Sequence, residues 1–151
     1  MNTDEKAIKD LLQRCMVARI ATLSRNGRPS INPLYFVLHN GHIWLGTVEW
    51  TRASRNVKAD PRVSVLFERE QEKRSHRVLQ ISGRASVRTE QEVQRSYGLR
   101  VACKYLLTPG GIRHALLHIR QFLLRGHYAV QNAEKGRPCV IEVAPLDAEW
   151  T

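Results

Sequence analysis

Apolar positions recur along this chain first with a helical period and then with a period of two. Ile8, Leu11, Leu12 and Cys15 fall at i, i+3, i+4 and i+7, the stripe of an amphipathic helix. Asp4 and Glu5 stand in its first turn, where carboxylates suit the positive helix end. From Val17 the pattern shortens. "VARIATL" reads as a strand, and Asn26-Gly27 in "SRNGRP" marks a hairpin turn. "SINPLYFVL" is a second strand, Asn40-Gly41 a second turn and "HIWLGT" a third strand, so the three form an antiparallel meander. "TRASRNVKADP" then predicts a short helix, opened by Thr51 as N-cap and stopped by Pro61.

Val63, Val65 and Phe67 alternate in the next strand, and Leu79, Ile81, Ala85 and Val87 in the one after it. Gly83 stands in this second strand where a barrel strand bends. The charged stretch "REQEKRSH" between them reads as a loop. Residues 90–124 read as two helices broken by "TPGG", the first carrying Val93, Tyr97 and Val101, the second Ile112, Leu116, Ile119 and Leu123. A last strand, "CVIEV", is expected to end at Pro145. Six short strands with antiparallel turns and flanking helices predict a mainly β (α+β) fold, a small closed barrel that removes exposed sheet edges. An open α+β sandwich is the competing architecture.

Composition narrows the class. The 151 residues are 42% hydrophobic and 25% charged, ordinary for one domain spanning residues 1–151 with its own core. No run of eighteen apolar residues occurs, so no membrane span is expected, and the first fifteen residues lack the apolar core of a secretory signal. Cys15, Cys103 and Cys139 are far apart and odd in number, which predicts reduced thiols, buried as small hydrophobes, in a cytoplasmic protein. The net charge of +10 is concentrated late: Arg95 to Arg137 holds eight Lys/Arg against the single acid Glu134. Such a field attracts anions such as phosphorylated cofactors, nucleic acid or acidic membrane surfaces, and it equally suits a solvated face.

The candidate chemistry lies at "TVEWTRASRN", where the third strand gives way to the short helix. A helix N-terminus presents amides without internal partners and a dipole that favours an anion. Thr47 and Thr51 would add hydroxyls, Arg52 a planar guanidinium able to grip two phosphate oxygens, and Arg55 a second cation one turn on. Against this stands the plainer reading that Thr51 only caps the helix and both arginines are solvated.

"RIATLSRNGRPSINPLYFVLHNGHIWLGT", then "TRASRN", "DPRVSVLFE", "RVLQISGRASV" and the closing "VIEVAPLDAEW", resembles the pyridoxamine 5′-phosphate oxidase-like split β-barrel family. That resemblance implies a six-stranded antiparallel split β-barrel with flanking helices, working as a homodimer with FMN, or alternatively a deazaflavin coenzyme, in a groove between subunits. It implies a flavin-dependent oxidoreductase acting on a small molecule. It carries Thr47 over as a hydroxyl meeting the cofactor phosphate, and Thr51 and Arg52 as the Ser-Arg pair of the family's "SRK" motif. Asn32, Pro33 and Leu34 match the strand segment whose backbone faces the isoalloxazine ring, and Trp150 matches a terminal aromatic near the cofactor of the dimer. Pro33, with no amide donor, independently suits an edge or bulge of the sheet. The motif's Lys is Ala53 here, with Arg55 one turn on to replace it, and the oxidases' strand-five Gln is Val78; the substrate is therefore not assigned as pyridoxamine phosphate.

Other constellations carry less. His114 and His118 are i, i+4 with His127 beyond, but no glutamate follows the first histidine as in HExxH, and no metal site is expected. "IRHALLHIRQFLLRG" is basic and amphipathic, a face that packs on the barrel or a second copy. No catalytic triad or close carboxylate pair arises, so the catalytic set is empty. A non-catalytic flavin- or haem-binding protein of the same fold is the alternative from another class. A nucleic-acid-binding barrel lacks the aromatic stripe such surfaces use, and no nucleic-acid partner is expected.

Overall fold

The computed structural model describes residues 3–68, 78–106 and 136–151. The proposed second late helix, the "TPGG" break and His114, His118 and His127 lie outside the described residues. The elements run α1 (Thr3–Arg14), β1 (Val17–Leu23), β2 (Pro29–His39), β3 (His42–Val48), α2 (Arg52–Ala59), β4 (Arg62–Phe67), β5 (Leu79–Arg88), α3 (Gln91–Leu106) and β6 (Pro138–Trp150).

Six antiparallel strands close into a barrel in the order β1-β2-β3-β6-β5-β4, so the open sandwich is set aside. The period-two pattern explains the closure. Ala18 and Ile20, Phe36, Ile43 and Leu45, Val65 and Phe67, Leu79 and Ile81, and Ile141 and Val143 point inward and form one buried core. The β2–β3 turn takes Asn40 at φ 49° and Gly41 at φ 77°, the left-handed pair that matches strand twist.

Two sequence expectations are refined. Pro145 does not end the last strand: β6 continues to Trp150. Its register against β5 shifts between Ser82 and Gly83, with Gly83 opposite Pro145 and Ser82 opposite Asp147. The imino residue thus sits at a bulge, where a missing N–H costs no ladder bond. Gly83 is required there, because a Cβ would stand 2.4 Å from the Ala144 carbonyl oxygen. Of the three free thiols, Cys15 and Cys139 are buried as expected, whereas Cys103 on α3 is exposed.

The helices close the barrel. α2 lies over one mouth and buries Ala53, Ser54, Asn56 and Val57. Asn56 Nδ2 donates to Thr22 Oγ1 at 2.9 Å in the interior, tying α2 to β1. α3 packs outside β2, β3 and β6, where Val93 meets Val37, Trp44 and Val140 with Tyr97 and Val101 alongside. α1 turns Leu11, Leu12 and Cys15 into the main core, as its stripe predicts. Among the described residues, no helix is long and apolar enough to cross a membrane.

Candidate functional site

The site begins where β2 and β3 part company. Their pairing runs from His39↔His42 to Phe36↔Leu45 and stops, although β2 reaches back to Pro29 and β3 forward to Val48. Continued by two more pairs, the register would set Leu34 against Thr47; one further would set Pro33 against Val48. On its other edge β2 stays paired with β1 from Pro29 to Tyr35 without a bulge. A split therefore opens between Asn32–Leu34 and Thr47–Val48.

Backbone parity decides which groups line it. Phe36 gives its N–H and carbonyl to the Tyr105 hydroxyl, at 3.4 and 3.0 Å, and that hydroxyl also reaches the Met16 carbonyl just before β1. Phe36 therefore points its peptide groups to the β1 edge. Neighbouring peptides alternate, so Tyr35, Pro33 and Ile31 point theirs to the β3 edge. Pro33 then brings a carbonyl and no N–H to the split. The edge expected from its sequence position is present; the alternative expectation of a bulge is not met.

At its outer end the split meets the start of α2. Thr51 has the extended backbone of an N-cap, φ −65° and ψ 154°, and its Oγ1 accepts from Ser54 N at 3.3 Å. The same hydroxyl donates to the Val48 carbonyl at 2.9 Å, so the 3.0 Å contact between Thr47 Oγ1 and Thr51 Oγ1 must use the Thr47 proton. Thr51 is thus occupied as a cap, and what it offers an anion is the orientation of the first-turn amides. Arg52 and Arg55 are both exposed. Among the described residues neither side chain is held by a hydrogen bond or an ion pair.

Beneath this corner Cys139, paired with Thr47, directs its thiol toward Ser54 Oγ at 3.8 Å. Burial pushes that thiol above its usual range. The other end of α2 is pinned by Asp60, whose N–H caps the Asn56 carbonyl. Its carboxylate is held down at about 2 chiefly by the Arg62 guanidinium, 2.7 Å away.

Two residues that sequence reasoning gave no site role join the set. Tyr97 donates to the Tyr35 carbonyl at 3.2 Å, and its ring fills the space where a Cβ on Gly46 would be. Burial pushes its phenol up to about 12. The sequence showed Tyr97 only as one apolar position of a helix. Trp50 is 52% exposed beside the α2 N-terminus, with its indole against Gly136; no periodicity marks it.

Asn32, Pro33 and Leu34 thus lie on the unpaired edge of β2, and Thr47, Thr51 and Arg52 follow along the end of β3 into α2, with Arg55 a turn away. Trp150 is not among them. It packs against the core at the far end of β6, opposite Leu79, eleven residues from Cys139. At roughly 3.3 Å per residue that is about 36 Å, so a single protomer does not bring Trp150 to the corner. Among the described residues no cluster of three His, Cys, Asp or Glu is placed to hold a metal.

Comparison with known proteins agrees with this architecture. A conserved hypothetical protein, Rv2991 of Mycobacterium tuberculosis, superposes with TM-score 0.70 at 20% identity, over 99% of this chain and 84% of that one. An F420 reductase gives TM-score 0.64 at 19% identity, covering 93% and 94%. The haem storage protein HutZ of Vibrio cholerae gives 0.67 at 18%, covering 96% and 92%. At these identities the likeness is one of fold. No curated protein matches the chain. The family model described as pyridoxamine 5′-phosphate oxidase matches residues 4–123, most of the sequence, and with the closed split barrel this establishes that the chain belongs to that family.

Proposed function

We propose that this protein is an oxidoreductase that binds a flavin-type cofactor, FMN or a deazaflavin coenzyme, and acts on a small molecule as a homodimer. The observation that carries the reading is the continuity of the groove: an open strand edge at Pro33 leads to a helix N-terminus flanked by two exposed arginines. The donor set fits a phosphate. First-turn amides of α2 favour an anion, and Arg52 can offer two parallel N–H donors. Arg55 stands in the neighbouring turn, in place of the lysine that Ala53 lacks.

When bound, such a cofactor supplies the hydride or electron chemistry itself. The chain's own residues bind and orient. Arg52 and Arg55 provide affinity at the phosphate end, and the Thr51 cap fixes the direction of the amides. The Asn32–Leu34 edge positions the ring, with a carbonyl but no N–H at Pro33. The known F420 reductase and haem storage neighbours show what cofactors this fold serves elsewhere; the phosphate corner favours a phosphorylated one here.

The dimer reading is supported by the outer face of the barrel. Ala21, Ser64 and Ser82 lie side by side across β1, β4 and β5, flanked by Ile31 and Leu146, which are 59% and 73% exposed. Ala21, Ser64, Ser82 and Leu146 line a concavity of about 420 Å³. A second copy would cover that apolar rim, and it could bring its own Trp150 toward the first copy's groove.

The test is a titration of purified protein with FMN and, separately, with a deazaflavin coenzyme, read by fluorescence, alongside the absorption spectrum and mass of whatever co-purifies. Arg52→Ala is expected to weaken binding at least tenfold, about 1.4 kcal/mol. Light scattering should give twice the 17.3 kDa chain mass. Unchanged affinity in Arg52→Ala removes the phosphate assignment, and a colourless monomer that takes up neither cofactor removes the whole reading. A bound flavin that no donor reduces would instead make the protein a carrier.

A further inference from the structure

The end of β3 has a different neighbour on each side. Toward β2 its pairing stops at Phe36↔Leu45, whereas toward β6 it runs on to Thr47↔Cys139 and Val48↔Pro138. The chain therefore passes from β3 into α2 between two flanks. The Pro33 segment lies on the β2 side, and Gly136 and Arg137, which lead into Pro138, lie on the β6 side. On this second flank stands Trp50, 52% exposed and directly before the Thr51 cap.

The indole is held in place. Thr51 N–H donates to the Val48 carbonyl at 3.1 Å and closes the turn that carries Trp50. Glu49 N–H donates to the Arg137 carbonyl at 3.0 Å and fastens that turn to the chain before β6. The pyrrole atoms lie on Gly136, where a Cβ would collide with Cδ1 and stand 2.7 Å from Nε1. The six-membered ring is thus the half turned away from this seat. Helix capping does not account for the residue. One position before the cap, a hydrophobic side chain can staple itself to the fourth residue of the helix, but that residue here is the exposed Arg55. Trp50 is therefore a large aromatic surface, fixed at the corner and given no apolar partner by its own helix.

We propose that Trp50 is the stacking surface for a nucleobase carried beyond the phosphate, so that the flavin held at this corner is a dinucleotide of the FAD type. The inference rests on the phosphate corner proposed above. With the flavin ring on the Pro33 side and a phosphate at the first-turn amides of α2, a ligand that continues past the phosphate emerges on the β6 side, about 4.8 Å away at one strand spacing. FMN ends at its phosphate and does not reach the indole. Charge selects the kind of tail. Glu49 precedes Trp50 and Arg137 faces it across the Glu49–Arg137 hydrogen bond, so their opposite charges cancel. No net field draws a chain of carboxylates to the indole, whereas a neutral planar base gains by stacking on it.

The test titrates the purified chain with FMN, FAD and ADP, alongside Trp50→Ala and Trp50→Phe. The parent is expected to bind FAD about tenfold more tightly than FMN, the scale of one base–aromatic stack. Trp50→Ala should weaken FAD about tenfold and leave FMN within about threefold, while Trp50→Phe, which keeps a ring, holds FAD within about threefold. Equal affinities for FAD and FMN in the parent, or unchanged FAD binding in Trp50→Ala, overturn the proposal. A uniform loss of FMN and FAD in Trp50→Ala overturns it too, because that reports damage to the corner and not a lost stack. If neither flavin binds but ADP does, and Trp50→Ala loses it about tenfold, the flavin reading falls and the nucleobase surface stands. A chain that takes up none of the three overturns both.

Discussion

The Asn56–Thr22 hydrogen bond provides a quantitative test of how α2 is held over the barrel mouth. Asn56 is 6% exposed and Thr22 2%, and their side chains meet at 2.9 Å across 34 residues of sequence. Removing one partner leaves the other buried without a bond, a cost of about 1–3 kcal/mol. Thr22→Val strands the Asn56 amide, and Asn56→Leu strands the Thr22 hydroxyl. Each should therefore lower stability by about 2 kcal/mol. With a urea slope of about 2 kcal/mol per molar, the unfolding midpoint falls by about 1 M. The double variant replaces both polar groups with apolar ones of similar shape, and should recover most of that loss. The double-mutant cycle then gives a coupling of about 3 kcal/mol, well outside the error of additivity between independent sites. Urea titrations followed by circular dichroism measure all four proteins. Single variants within 0.5 kcal/mol of the parent, or a double variant equal to the sum of the singles, would refute the reasoning.

Two further perturbations probe the frame. Gly83→Ala drives a Cβ to 2.4 Å from the Ala144 carbonyl oxygen and should cost about 1–3 kcal/mol, read as a fall in melting temperature; an unchanged value would mean that the bulge absorbs the methyl freely. Lys104 is pushed down to about 8 by burial, against its ordinary 10.5, although its ammonium lies over the Phe36 ring and near the Phe36 and Leu12 carbonyls. The unfolded chain then binds more protons between about pH 8 and 10.5, so this group makes stability rise with pH across that window. Urea melts at pH 8, 9 and 10 should show the parent gaining on Lys104→Met by on the order of 1 kcal/mol; parallel curves would contradict the depressed value.

Much of the barrel was legible because burial leaves a simple record. The alternation at Val63, Val65 and Phe67 predicted the inward face of β4, and all three point into the core. Asn40-Gly41 predicted its turn from conformational preference alone. The Thr51 cap was visible for the same reason, since capping is decided within three residues of the chain. The thiols were only partly legible: Cys103 shares the composition of its buried counterparts but falls on an outward position of α3.

Local periodicity and turn chemistry, together with the resemblance they support, determined the six strands, the short helix with its N-cap and the family. Tertiary structure alone decided three matters. Pro145 lies within a strand, because a distant segment at Gly83 accommodates its missing N–H in a bulge. Tyr97, dozens of residues away in the chain, donates to the Tyr35 carbonyl and covers Gly46. The hydroxyl of Thr51 is committed to Val48 and Ser54, a geometry that no spacing specifies. The physical reason is common to all three. Short-range preferences fix how neighbouring residues turn and alternate, whereas which polar groups find partners depends on segments that meet only after the barrel has closed.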